Sequence, residues 1–197
     1  KVERFILAFS SSTYGDFPDL PKVEDKIGNP LSPYAVTKAS IEQFADVFGK
    51  TYGLNWVGLR YFNVFGARQN ADNPYAAVIP IFIEKFRRGE RLQVYGDGST
   101  SRDFTHVSNV IHANEITLFS PQVEEGVFNV ACGQMTSLNE VIEKLSKLFN
   151  QDYEIKYLDE RKGDVKHSMA SINKIREVYG YEVQRNFDEG LTDLVHG

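Results

Sequence analysis

Phe5-Ile6-Leu7-Ala8-Phe9-Ser10-Ser11-Ser12 is an unbroken apolar run that stops at three hydroxyls. A short continuous run of this kind fits a strand buried on both faces of a parallel sheet. Further on, Ser32-Pro33-Tyr34-Ala35-Val36-Thr37-Lys38 opens a helix. Ser32 is a good N-cap, Pro33 suits the first helical position, and Ile41, Phe44, Ala45 and Phe48 form an apolar stripe. The pattern predicts a helix to about Tyr52, ending near Gly53. In open parallel α/β sheets, ligands bind just outside the carboxyl ends of the strands. The serines occupy such a place.

Tyr34 and Lys38 are four residues apart, so on a helix they project from one face. A phenol is a weak acid with an ordinary pKa of about 10, and it becomes a neutral-pH base only when a cation beside it favours the phenolate. Lys38 offers that cation, and the serine hydroxyls can complete a hydrogen-bond relay. Together these residues form a constellation suited to redox catalysis. Serine-rich strand ends and Tyr/Lys pairs at helical spacing are also common solvated features.

The rest of the chain alternates strand and helix patterns, without internal repeats or low-complexity stretches. Asn55 to Arg60, Leu92 to Tyr95, Val127 to Ala131 and Glu154 to Leu158 read as strands. Ala77 to Arg88 reads as a helix ending at Gly89, and Val107 to Phe119 as one closed by Pro121. Ser137 with Glu140 makes a capping box ahead of the stripe Leu138, Val141, Ile142, Leu145 and Leu148. Ser171 to Tyr179 and Phe187 to Val195 read as closing helices. The stretch Tyr14 to Pro30 is long and rich in Pro, Asp and Gly, as functional lids and solvated connections both are.

With 197 residues, 42% hydrophobic and 25% charged, the chain falls in the range of globular α/β proteins. A net charge of -5 and scattered basic residues argue against nucleic acid as a partner. No apolar run approaches bilayer length and no signal peptide is evident, which argues against a membrane partner. The single cysteine, Cys132, excludes an intrachain disulfide, suits a reducing cytoplasm and is expected in a buried strand. His106, His112, His167 and His196 lack partners at metal-ligand spacing, so no metal is assigned.

Ser10-Ser11-Ser12-Thr13-Tyr14-Gly15, Ser32 to Lys38 and Leu59-Arg60-Tyr61-Phe62-Asn63-Val64-Phe65-Gly66 occur in that order. With Gly96-Asp97-Gly98-Ser99-Thr100-Ser101-Arg102-Asp103-Phe104 and Arg161-Lys162-Gly163-Asp164, they resemble the extended short-chain dehydrogenase/reductase family of nucleotide-sugar epimerases and dehydratases. Within it, the stretch from Tyr14 to Tyr34 most resembles bacterial UDP-N-acetylglucosamine 4-epimerases that supply surface polysaccharides. The family's glycine-rich dinucleotide loop occurs nowhere in these residues. The chain therefore reads as a fragment that begins midway through the dinucleotide domain, with activity alone or its absence both open. The resemblance implies an α/β fold, the C-terminal part of a Rossmann-type parallel sheet with a smaller α/β substrate-binding domain. Residues 1–66 would be the C-terminal half of the NAD-binding domain. Residues 67–197 would mainly bind the nucleotide sugar, some segments returning to the first domain.

The resemblance also implies roles. Ser10, Tyr34 and Lys38 would be catalytic and touch NAD, and Phe62 would line the nicotinamide pocket. Ser11, Ser12 and Asn63 would contact the sugar or diphosphate. Arg102 and Arg161 would grip the diphosphate, since a guanidinium offers forked donors matching phosphate oxygens. Asp164 would accept from the ribose, and Val78, Gln93 and Tyr95 would hold the uracil. Ser168 aligns where a small residue admits an N-acetyl group, which favours UDP-GlcNAc or UDP-GalNAc while still admitting UDP-galactose. Related dehydratases and decarboxylating synthases place Asp-Glu or Glu where Ser11 and Ser12 stand, so C4 epimerisation through a 4-keto sugar is preferred. The alternatives are those rival reactions, or an inactive fragment acting only as a binding module. The helix Tyr34 to Tyr52 and the one near Ala77 are candidates for a homodimer four-helix bundle.

Overall fold

The computed structural model describes residues 2–70, 77–160 and 165–197. Strand β1 (Phe5–Ser10) runs into a 3-10 turn (Ser11–Tyr14), and α1 (Pro33–Tyr52) follows after a long segment. Then come β2 (Trp56–Tyr61), β3 (Val64–Phe65), α2 (Val78–Arg88), β4 (Leu92–Tyr95), β5 (Ser101–Arg102) and β6 (Thr105–His106). The chain continues through α3 (Val107–Phe119), β7 (Gly126–Val130), β8 (Thr136–Ser137) and α4 (Leu138–Phe149). It closes with β9 (Ile155–Leu158), α5 (Asn173–Tyr179) and α6 (Phe187–His196). Cys132 lies just past β7 and only partly buried, not within the strand as expected.

Strands β1, β2 and β7 form a parallel sheet in that order, with Phe5 opposite Trp56 and Tyr61 opposite Val130. Side chains alternate across it, as the pleat requires. Leu7, Phe9, Trp56 and Val127 pack with Ala45 of α1, whereas Ile6, Val57, Leu59, Phe128 and Val130 pack with Ala113 of α3. Gly58 leaves the space that the Phe9 ring fills; a Cβ there would stand 1.9 Å from Phe9 Cε2. The outer edge of β1 has no strand beside it among the described residues.

A second core lies across from the sheet. Ile79, Phe82, Ile83 and Phe86 of α2 pack with Leu92, Val94, Val141, Leu145, Phe187 and Leu191. Here β4 and β9 pair in parallel. The Ser137/Glu140 capping box forms, and a second one, Asn186 with Glu189, starts α6. Because α2 spends its apolar face inside, it offers none to a second subunit, which corrects that half of the bundle expectation. Helix α1 does the opposite. Ala45 is buried, but Ile41, Val47, Phe48 and Tyr52 stand exposed and Phe44 is 65% exposed.

The segment between the 3-10 turn and α1 is packed onto the sheet. Asp16 accepts from the Asn29 backbone at 2.7 Å and so pinches its two ends together. Gly15, at φ +55°, admits this crossing, since a Cβ would lie 1.8 Å from Asn29 O. Glu24 accepts from Asn129 N at 2.9 Å, and Lys22 pairs with Ala170. Beneath it, Arg60 is 3% exposed and forms a forked pair with Glu42 of α1 at 2.9 and 2.6 Å. Its other arm donates to Glu24 O at 2.9 Å, and its guanidinium lies 4.8 Å from the Tyr14 ring. Thr13 donates to Glu42 at 3.0 Å. Removing Glu42 leaves a buried guanidinium without its carboxylate, which costs about 3–5 kcal/mol. Glu42→Ala is therefore expected to lower the urea unfolding midpoint by a corresponding amount, and an unchanged midpoint would refute the pair's structural weight.

Candidate active site

The carboxyl end of β1 opens into a cleft of about 550 Å³. One wall is the serine turn, Ser10, Ser11 and Ser12, and the other is the start of α1 with Tyr34 and Lys38. The local chemistry explains both walls. Ser10 Oγ accepts from Ser12 N at 3.2 Å and caps the 3-10 turn, while Ser32 Oγ accepts from Ala35 N at 3.1 Å and caps α1. Tyr34 is 57% exposed and so open to the cleft. The Lys38 ammonium lies 5.8 Å from the Tyr34 ring centre and donates to Ala8 O at 2.9 Å, tying helix to strand. An ammonium has three donors, so the bond to Ala8 O leaves two for a ligand in the cleft that Lys38 lines. Ser12 Oγ is buried without a hydrogen-bond partner. A buried orphan hydroxyl at the wall of a cleft suits a polar ligand.

A second phenol, Tyr14, also lines the cleft, but burial pushes its pKa up to about 12 and it donates to Asn129 Oδ1 at 2.7 Å. It is a structural neighbour of Arg60, while Tyr34 is the accessible phenol. Asn63, Arg102 and Ser168 complete the cleft. Asn63 has φ +33°, a left-handed conformation that asparagine tolerates better than most residues. Its Nδ2 donates to Asp103 O at 3.2 Å and its own carbonyl accepts from Thr105 N at 3.2 Å.

Asn63, Val64 and Arg102 are shared with a second cavity of about 380 Å³. Val78, Gln93 and Tyr95 line it, beside Phe82 and Leu138. The expected sugar and uracil residues thus fall in two adjoining cavities with Arg102 at the junction. Arg161 and Asp164 lie outside the described residues. Phe62 is displaced from its expected role: it is fully buried, 5.8 Å ring to ring from Tyr14, and packs behind the wall of the cleft. Among the described residues, no group of three or more His, Cys, Asp or Glu is placed to hold a metal.

Sequence reasoning passed over Lys22 and Asp103. Lys22 lines the cleft from the long segment. Asp103, fully buried beside Arg102, accepts from Cys132 N at 3.0 Å, Gly133 N at 3.0 Å and Ala170 N at 3.1 Å. It ties the loop after β7 and the segment near Ser168 to the arginine between the cavities. Burial pushes its pKa up to about 7, against the pull of those N–H donors.

A phenol and an ammonium on one helix thus share a cleft with serines at the carboxyl end of a parallel sheet, an arrangement chemically able to exchange protons with a hydroxyl. The chain belongs to the NAD dependent epimerase/dehydratase family, which it matches over residues 1–131. Among its relatives is the UDP-N-acetylglucosamine 4-epimerase from Methanobrevibacter ruminantium M1, solved with UDP-N-acetylmuramic acid. That structure is 42% identical, with a TM-score of 0.91, over 98% of this chain and 62% of that one. The UDP-glucuronate 4-epimerase of Thermodesulfobacterium geofontis is 33% identical over 99% of this chain and 59% of its own length. The dTDP-glucose 4,6-dehydratase DesIV from Streptomyces venezuelae, solved with NAD, is 26% identical with a TM-score of 0.88, over 98% and 59%. The chain therefore spans about three fifths of each of these relatives.

Asp103 sets a pH dependence. Its folded pKa lies above the ordinary value of about 3.9, so the native state holds the proton more tightly. The resulting stability is present below about pH 4 and is lost as pH rises towards 7. The expected loss is on the order of 4 kcal/mol across that range. In Asp103→Asn this fall with pH should disappear from urea unfolding curves, and an identical slope in both proteins would contradict the assignment.

Proposed function

We propose that the whole enzyme interconverts UDP-N-acetylhexosamines at C4, UDP-GlcNAc and UDP-GalNAc, through a 4-keto sugar. The observation that carries this reading is the single cleft holding Ser10, Tyr34, Lys38 and Ser168, with no carboxylate at positions 11 and 12. A 4,6-dehydratase needs an acid or base beside C5 and C6, which Ser11 and Ser12 do not provide. The likeness to a UDP-N-acetylglucosamine 4-epimerase supports the same sugar.

Bound NAD would supply the hydride acceptor and donor for C4. The spare donors of Lys38 and the open phenol of Tyr34 fit the nicotinamide ribose at the carboxyl end of β1. Tyr34 removes the proton from the sugar 4-hydroxyl and later gives it back, while Ser10 orients the 4-oxygen. Between these steps the keto sugar turns about its diphosphate link, so that the opposite face of C4 is presented. Arg102, between the cavities, holds the diphosphate meanwhile, with Asn63 beside it and Val78, Gln93 and Tyr95 around the uracil. No net oxidation results. Arg161 and Asp164 keep their implied roles at the diphosphate and ribose. The sheet core and its returning segments would be the dinucleotide side, and the second core the sugar-nucleotide side. A cytoplasmic setting, where UDP-sugars are made and consumed, fits this role.

Tyr34→Phe in the full-length protein should lower turnover of UDP-GlcNAc by about a hundredfold or more, as loss of a general acid-base group does. Absence of turnover in the unmodified full-length enzyme would refute the epimerase reading. The exposed stripe of α1 supports a homodimer packed through that helix. Phe44→Glu should then halve the mass seen by sedimentation, and a wild-type monomer would dismiss the dimer.

A further inference from the structure

Lys22 is 3% exposed and helps to wall the cleft that holds Ser10, Tyr34 and Ser168. It takes no part in lining the second cavity. Its backbone is locked to the segment just after Ser168: Lys22 N donates to Met169 O at 2.7 Å, and Ser171 N donates to Lys22 O at 2.8 Å. Asn129 Nδ2 donates to the same carbonyl at 3.0 Å. The ammonium donates to Phe17 O and lies 5.4 Å from the centre of the Phe17 ring. Among the described residues it forms no ion pair, although Asp19 acts on it from a distance.

A lysine so enclosed is rare unless it is paired, because a desolvated cation is costly. Burial accordingly pulls its pKa below the ordinary lysine value. An ammonium has three donors, and Phe17 O and the ring face do not neutralise it. An anion entering the cleft that Lys22 lines would supply a neutralising partner.

We propose that Lys22 is a specificity residue that pairs with a carboxylate on the sugar ring, so that the cleft favours acidic UDP-N-acetylhexosamines over their neutral counterparts. This rests on the cleft accepting a UDP-hexose. The placement of Lys22 with the serines and Ser168, rather than with the residues of the second cavity, puts its charge at the hexose and leaves the diphosphate to Arg102. A carboxylate at C6 in place of the primary alcohol supplies the charge without altering C4.

The test is calorimetric titration of the full-length, NAD-loaded protein with UDP-GlcNAc and with its C6-carboxylate counterpart. Wild type should bind the carboxylate sugar about tenfold or more tighter, the scale of a charge-assisted pair. Lys22→Met should collapse that ratio to within about threefold, and Lys22→Arg should retain most of it. A wild-type ratio near one, or a preference for the alcohol, overturns the proposal without need of any variant. Equal weakening of both sugars in Lys22→Met overturns it too, by placing the charge at the diphosphate. A Lys22-dependent ratio in a protein that turns over neither sugar would sustain this inference while refuting C4 epimerisation. Failure to bind either sugar would refute both.

Discussion

The forked pair between Arg60 and Glu42 is the constraint on which the site depends. Arg60 belongs to the central strand and Glu42 to the helix that carries Tyr34 and Lys38, so the pair fixes that helix along the sheet. Through Thr13 the same carboxylate reaches the serine turn, and through Glu24 the same guanidinium reaches the segment that brings Lys22. Two walls of one cleft are thus set by one buried charge pair. Because each of the three guanidinium nitrogens donates to a partner, the low dielectric around it strengthens the pair where a missing carboxylate would be costly.

A second knot works on the opposite side of the cleft. The Asp103 carboxylate gathers backbone N–H groups from the loop after β7 and from Ala170, while its own carbonyl holds Asn63 in a left-handed turn. The arginine between the two cavities sits next to it in sequence. A carboxyl used in this way acts as a fastener between segments otherwise joined by only short ladders and single bridges. The two knots differ in kind: one joins a helix to a strand through side chains, and the other joins loops through backbone donors.

What the sequence made legible was local. Ser32, Pro33 and Gly53 announce α1, and Ser137 with Glu140 announces α4, because caps and stripes act within one or two turns. The Ser10, Tyr34 and Lys38 constellation was legible for the same reason, since each residue stands at a marked element end. What escaped depends on distant partners. Asn129 meets Glu24 and Tyr14 from more than a hundred residues away, and Asp103 meets Ala170 across 67. Lys22 looks like any loop lysine until the fold closes over it. Phe62 was placed in the pocket by its motif, but just past the end of β2 it packs into the sheet core against the Tyr14 ring, behind the wall. On α1 the apolar stripe was plain, yet periodicity does not say whether such a face meets core or solvent.

The edge of β1 has a consequence for how the sheet can grow. Among the described residues β1 has a strand on one side only, with exposed Val2 and Phe5 at its start, so its outer side can take up a further strand. A strand added there would lie beside the one that ends in the serine turn, and would bring its own carboxyl or amino end to the rim of the cleft.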